Sequence, residues 1–242
     1  MKMNKKIKII GIVVTLSLCI GACNLQKEVC DSKNCKNEVY KNGLCPDHYV
    51  KEKLAEKDDK KNNTENPESI KNNKEILAVL EQYYDAYTDC DINKLQEVAH
   101  LISPNEISYI KIISKYYDEI DDIEICFEKK VADDQYMISV RNSVQFKNVS
   151  IKAPGLDFFN LVTDKDGNWY IDNTCSYFNY NFQEYEIDSE KYDQISQYMN
   201  EDEFIELQQE VDEEYQKVKD DTQYKKEYDK LCDDIAKWNE QN

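Results

Sequence analysis

A change of hydrophobic period in the middle of the chain constrains its fold more than any other feature. Up to Asp121-Asp122 the apolar residues recur at helical spacing; beyond it they alternate. Ile76, Val79, Leu80, Tyr83, Tyr84 and Tyr87 make one stripe, with Asn72-x-x-Glu75 placed to start the helix. Asp91 is placed to cap a second helix with Ile92, Leu95, Val98 and Ile102 inward. Ser103-Pro104-Asn105-Glu106 is a capping box with proline in the first turn. It predicts a third helix with Ile107, Ile110, Ile113, Tyr117 and Ile120 on one face. Ile123, Ile125 and Phe127 then alternate with Glu124, Cys126 and Glu128. A turn at Ala132-Asp133-Asp134 leads to a strand from Tyr136 through Val140 to Phe146. Pro154-Gly155 reads as a break, Leu156 to Thr163 as a strand, and Asp164 to Asn168 as a hairpin turn before Trp169-Tyr170-Ile171. Three helices followed by a curved antiparallel sheet is an α+β domain, spanning 74–182.

A helical extension, 188–242, follows. Ser189 is placed to cap a short helix holding Tyr192, Ile195 and Met199. Phe204, Leu207, Val211, Tyr215 and Val218 form the next stripe, and Tyr224, Tyr228, Leu231, Ile235 and Trp238 the last. The two stripes fit an antiparallel helical hairpin packed on itself or on the domain, or a partner-binding helix with Trp238 as an exposed anchor.

The N-terminus is an address. Lys2, Lys5, Lys6 and Lys8 precede about a dozen mostly apolar residues, Ile9 to Ile20, fewer than the ~20 that a spanning helix needs. Ile20-Gly21-Ala22-Cys23 resembles the lipobox of bacterial lipoproteins. The resemblance implies a signal peptide at 1–22, diacylglyceryl on Cys23, and a mature protein lipid-anchored on the extracytoplasmic face of the cell membrane.

Cys30-x4-Cys35 and Cys45-x2-His48 lie within 19 residues, with little apolar material around them. A segment that small needs a crosslink to fold. Three thiolates and an imidazole can make a closed tetrahedral set, hence a structural zinc site; a disulfide between two of the cysteines, or no fixed structure, are the alternatives. The segment 27–50 resembles small zinc knuckles of bacterial proteins, Gram-positive lipoproteins among them. Residues 51–73 are Lys, Glu, Asp and Asn with almost no apolar residue, a solvated tether.

Net charge narrows the partners. The chain carries −18 formally, and removing the four signal lysines leaves 27 basic against 49 acidic residues, near −22. That excludes nucleic acid, which requires a basic surface, and leaves the lipid as the hold on the membrane. Cys90, Cys126, Cys175 and Cys232 are scattered, and a Cys126–Cys175 bridge is conceivable in an exported chain.

The order of elements, with the ending Asp166-Gly167-Asn168-Trp169-Tyr170-Ile171, resembles the nuclear transport factor two-like, or cystatin-like, family. There a curved sheet wraps a long helix into a cone with a pocket at its wide end, and some members place Asp, Tyr or His in the pocket as acid and base. His100 stands here near the end of the second helix, where binding the last carbonyls is its ordinary role. The Tyr83-Tyr84-Tyr87 stripe reads as core first and pocket lining second. No catalytic residue is assigned. The expected function is a non-catalytic lipoprotein presenting a cone that binds a small ligand or an envelope protein. The alternatives are an enzyme with an acid/base pocket in the cone, and an assembly protein acting through the C-terminal hairpin.

Overall fold

A computed structural model describes residues 69–240. The signal, the candidate lipidation site Cys23, the knuckle residues Cys30, Cys35, Cys45 and His48, and nearly all of the tether lie outside the described residues. The first helix, α1 (Lys74–Asp89), leads to α2 (Ile92–Val98), a two-residue strand β1 (Ala99–His100) and α3 (Pro104–Ile113). The strands β2 (Tyr117–Ala132), β3 (Gln135–Phe146), β4 (Lys152–Thr163) and β5 (Trp169–Asp172) follow. After a 3-10 turn (Asn173–Cys175) come α4 (Tyr177–Phe182), α5 (Ser189–Tyr198), α6 (Asp202–Val218) and α7 (Thr222–Asn239).

The sheet is five-stranded, curved and unclosed, in the order β1-β5-β4-β3-β2. β2, β3, β4 and β5 run antiparallel in sequence; β1 joins β5 in parallel, Ala99 facing Ile171 and His100 facing Asp172. Register shifts along β2, each adding one residue relative to β3, bend that strand. They also explain why Tyr117, Ile120 and Ile125 are all buried despite irregular spacing.

Four sequence expectations need correction. The cap of α1 is Asn73, not Asn72: its Oδ1 accepts from the Glu75 and Ile76 amides. α3 ends at Ile113, so Tyr117 and Ile120 belong to β2; their three-residue spacing mimics a helix because the strand is bulged. β4 runs straight through Pro154 and Gly155. β5 pairs only with Leu161 to Thr163, so Pro154 has a neighbouring strand on one side only, where a missing donor is tolerated. Finally, α5 is capped by Asp188, whose Oδ1 accepts from the Lys191 amide, rather than by Ser189.

Both faces of the sheet are covered. On one face, Asn142 and Asp157 meet Tyr84 of α1. On the other, Ser139 bonds the Tyr198 hydroxyl of α5 at 2.7 Å, and Arg141 pairs with Glu210 and Glu214 of α6. The C-terminal helices are therefore a layer of the fold. α6 lies on β4 and β2, α7 lies on α3, and the two meet where Tyr215 approaches Tyr224 and Tyr228. Their apolar stripes pack chiefly on the domain instead of on each other. Trp238 is buried, not an exposed anchor, and its Nε1 donates to Ser108 Oγ at 2.6 Å. One continuous core runs from Ile70 to Trp238.

Candidate functional site

A cavity of about 60 Å³ lies between α1, α3, the middle of β4, the end of β5 and α4, with Ile120 of β2 beside them. Tyr83, Tyr84 and Tyr87 enter it from α1, Glu106 and Tyr109 from α3, and Asp157 to Asn160 from β4. Ile171, Asp172 and Asn173 close one end, and Ser176 to Phe178, Asn181 and Phe182 form the remaining wall. Asn181 is solvent-exposed, which puts the mouth at α4.

Each wall has a sequence cause. The tyrosines recur at three- and four-residue spacing, which turns them to one side of α1. Tyr83 meets Phe159 edge-on at 5.1 Å, and Tyr84 meets the same ring at 5.9 Å. Such pairs contribute about 0.5–1.5 kcal/mol beyond burial and fix ring orientation. The α1 stripe is thus core and pocket lining at once. α4 starts at Ser176, whose Oγ accepts from the Asn179 amide, and it seats Phe178 and Phe182 against Trp238.

Glu106 is the central polar group. Ser103 Oγ accepts from the Glu106 amide at 3.0 Å, and the Glu106 carboxylate takes a hydrogen bond from the Ser103 amide, so the capping box is complete. Asn173 Nδ2 donates to Glu106 Oε2 at 2.6 Å. Only 5% of Glu106 is exposed. Burial, offset in part by these two donors, pushes its carboxyl from 4.5 up to about 7. Glu106 thus stands between charged and neutral at ordinary pH.

Asp157 is built differently. Its Oδ2 accepts from the Tyr84 hydroxyl at 2.9 Å and from Asn142 Nδ2 at 2.7 Å. Asp172 pairs with Lys191 Nζ at 2.8 Å and accepts from the Thr174 hydroxyl and amide. The Lys191 and Thr174 donors hold its carboxyl below the usual range although burial opposes them. Burial and the neighbouring Asp172 push the Cys175 thiol up to about 11. Cys90, Cys126 and Cys175 are free thiols, so no bridge joins Cys126 to Cys175.

His100 sits in β1, stacked on Tyr170 with ring centroids 3.9 Å apart, and takes no part in the pocket. Sequence reasoning places Glu106 in the helix cap and goes no further. The signal it lacks is spacing: Glu106 is four and seven residues before Ile110 and Ile113, so it falls on the buried stripe of α3. Among the described residues no cluster of His, Cys, Asp or Glu is arranged to hold a metal, and no helix is long and apolar enough to cross a membrane.

No protein-family profile matches the chain, and no curated protein does. Among solved structures, the chain is similar to a variant of Rv3472, a function unknown protein from Mycobacterium tuberculosis. The identity is 14% and the TM-score 0.30, over 40% of this chain and 69% of that one. A likeness at that level assigns neither family nor activity.

Proposed function

We propose that this chain is a lipid-anchored, extracytoplasmic binding protein that holds a small ligand in the pocket beside Glu106. The observation that carries the proposal is a concave site lined by aromatic rings with a buried carboxyl and the Asn173 amide converging inside it. The lipobox at Cys23 supports the anchor, and the charged tether supports a domain held away from the membrane. Zinc at Cys30, Cys35, Cys45 and His48 belongs to the same proposal as a structural knuckle at the membrane end. The order of three helices and a curved sheet supports a nuclear transport factor two-like domain, whose wide-end pocket this cavity would be. The test is a thermal-shift screen of small molecules on the purified protein and on a Tyr83→Trp variant that narrows the cavity. Ligands that raise Tm in the parent protein and lose the effect in the variant support the reading; hits that ignore the variant sink it.

One observation favours a second reading, an acid/base enzyme: a carboxyl near 7 inside a pocket suits proton transfer. No histidine lines the pocket, and Asp157 already accepts from two neutral donors. A turnover whose rate follows an ionisation near pH 7, and which is lost in Glu106→Gln, would favour it over binding alone.

A further inference from the structure

We propose that the ligand of this pocket is a small organic cation, a protonated primary alkylamine. The inference rests on the binding reading above and names the chemistry of its ligand.

Charge makes the first argument. Three carboxylates line the cavity, Glu106, Asp157 and Asp172, and no lysine, arginine or histidine does. Asp172 is paired outside the lining with Lys191. Asp157 accepts from the Tyr84 hydroxyl and the Asn142 amide. Glu106 is held by amides. An anionic ligand would add charge of the same sign to a poorly solvated site. A neutral ligand would remove water from the carboxylates and return at most a hydrogen bond, with no opposite charge. A cation does the opposite.

The walls make the second argument. Tyr83, Tyr87, Tyr109, Tyr177, Phe159 and Phe178 surround the space from α1, α3, β4 and α4. Aromatic faces carry negative potential and attract ammonium groups, an effect that grows when water is excluded. The rings serve an alkyl-substituted nitrogen better than a bare metal ion, because they offer apolar contact as well. A divalent metal would require converging oxygen ligands, and the described residues hold no such cluster.

Size makes the third. An apolar cavity of ~150 Å³ takes a whole benzene ring, and this one is about 60 Å³. It holds a head group of a few heavy atoms, with any remaining part of the ligand leaving past the exposed Asn181.

Burial of Glu106 agrees with this. Its carboxyl is pushed up to about 7 in the protein alone, and a cation beside it stabilises the ionised form.

The experiment compares three probes of matched length on the purified protein: propylammonium, 1-propanol and propionate, by calorimetry and amide chemical-shift mapping at constant ionic strength. Propylammonium is expected to bind about tenfold or more tighter than propanol, with propionate weakest, and with shifts centred on Tyr83, Glu106, Phe159 and Asn173. Glu106→Gln is expected to reduce propylammonium affinity about tenfold, and Asp157→Asn likewise. Equal or tighter binding of propanol overturns the cation proposal and leaves the pocket reading standing. No binding by any probe overturns both. Propylammonium shifts scattered over the acidic outer surface also overturn the proposal. If either variant fails to fold, the three-probe comparison on the parent protein still decides.

Discussion

Asn173 donates to Glu106 at 2.6 Å across 67 residues of sequence. The bond joins the turn after the last strand to the first turn of α3. It locks the sheet's end to the helix layer at the floor of the pocket, and it faces a carboxyl that burial has made weakly acidic.

The pH dependence of stability follows from that carboxyl. Its folded value, about 7, lies above its ordinary 4.5, so between these values the native state holds a proton that the unfolded chain has lost. Its contribution is full below pH 4.5 and disappears as pH rises through 7. The displacement corresponds to roughly 3 kcal/mol. Urea unfolding at about pH 4 and about pH 8, on either side of that window, should show the parent protein losing about that much relative to Glu106→Gln. Parallel pH profiles for the two proteins would contradict this assignment.

Ser103→Ala should destabilise the fold by roughly 1 kcal/mol, the usual loss for a helix cap. Because Glu106 also accepts from the Ser103 amide, the fraying of this turn reaches the pocket. Hydrogen exchange at Glu106 and Ile107 should speed up while that of β3 does not. Uniform acceleration would show that the cap has no local role.

Trp238 is buried beside Tyr109, Phe178 and Phe182, and it bonds Ser108. Trp238→Ala should cost about 3–5 kcal/mol. Trp169 lies in the sheet and Trp238 in the last helix, so in a Trp169→Phe variant the fluorescence reports the C-terminal layer alone. Its denaturant transition should coincide with that of the β3 amide signals followed by NMR in the same variant. A lower midpoint for the fluorescence would mean that the C-terminal layer is a separate unit.

The Cys175 thiol is buried and pushed up to about 11, so at about pH 8 it has little thiolate. Alkylation of native protein followed by peptide mass spectrometry should leave Cys175 unmodified until denaturant is added. Rapid native labelling at Cys175 would contradict its placement.

Metal analysis tests the knuckle independently of the described domain. The protein should carry about one zinc per chain, lost in His48→Ala. Absence of metal with a disulfide among Cys30, Cys35 and Cys45 would replace the zinc site with a covalent crosslink.

Local chemistry makes much of the domain legible. The Ser103 box and the Asp164 turn are readable because each relies on a few adjacent residues: Ser103 accepts from Glu106, and Asp164 accepts from the Asp166 and Asn168 amides while Gly167 takes φ of 86°. The three helices, the meander and the final pair of stripes follow from periodicity. Bulges in β2 are not legible, because an inserted residue makes Tyr117 and Ile120 look helical. Nor is β1, two residues that form a strand only because Ile171 and Asp172 lie beside them. The pocket draws on elements from separate parts of the chain. Glu106 has a local explanation as a cap and falls by spacing on the buried stripe of α3, but no local pattern connects it to Asn173, its partner in the pocket.

The contact between Trp238 and the α4 wall has a consequence for biogenesis. Phe178 and Phe182 are made more than fifty residues before the tryptophan that seats them. During synthesis the sheet and α1 can assemble while that wall still lacks its support. The site therefore comes to completion among the last events of chain emergence, and an occupied pocket marks a molecule whose C-terminal layer has already docked.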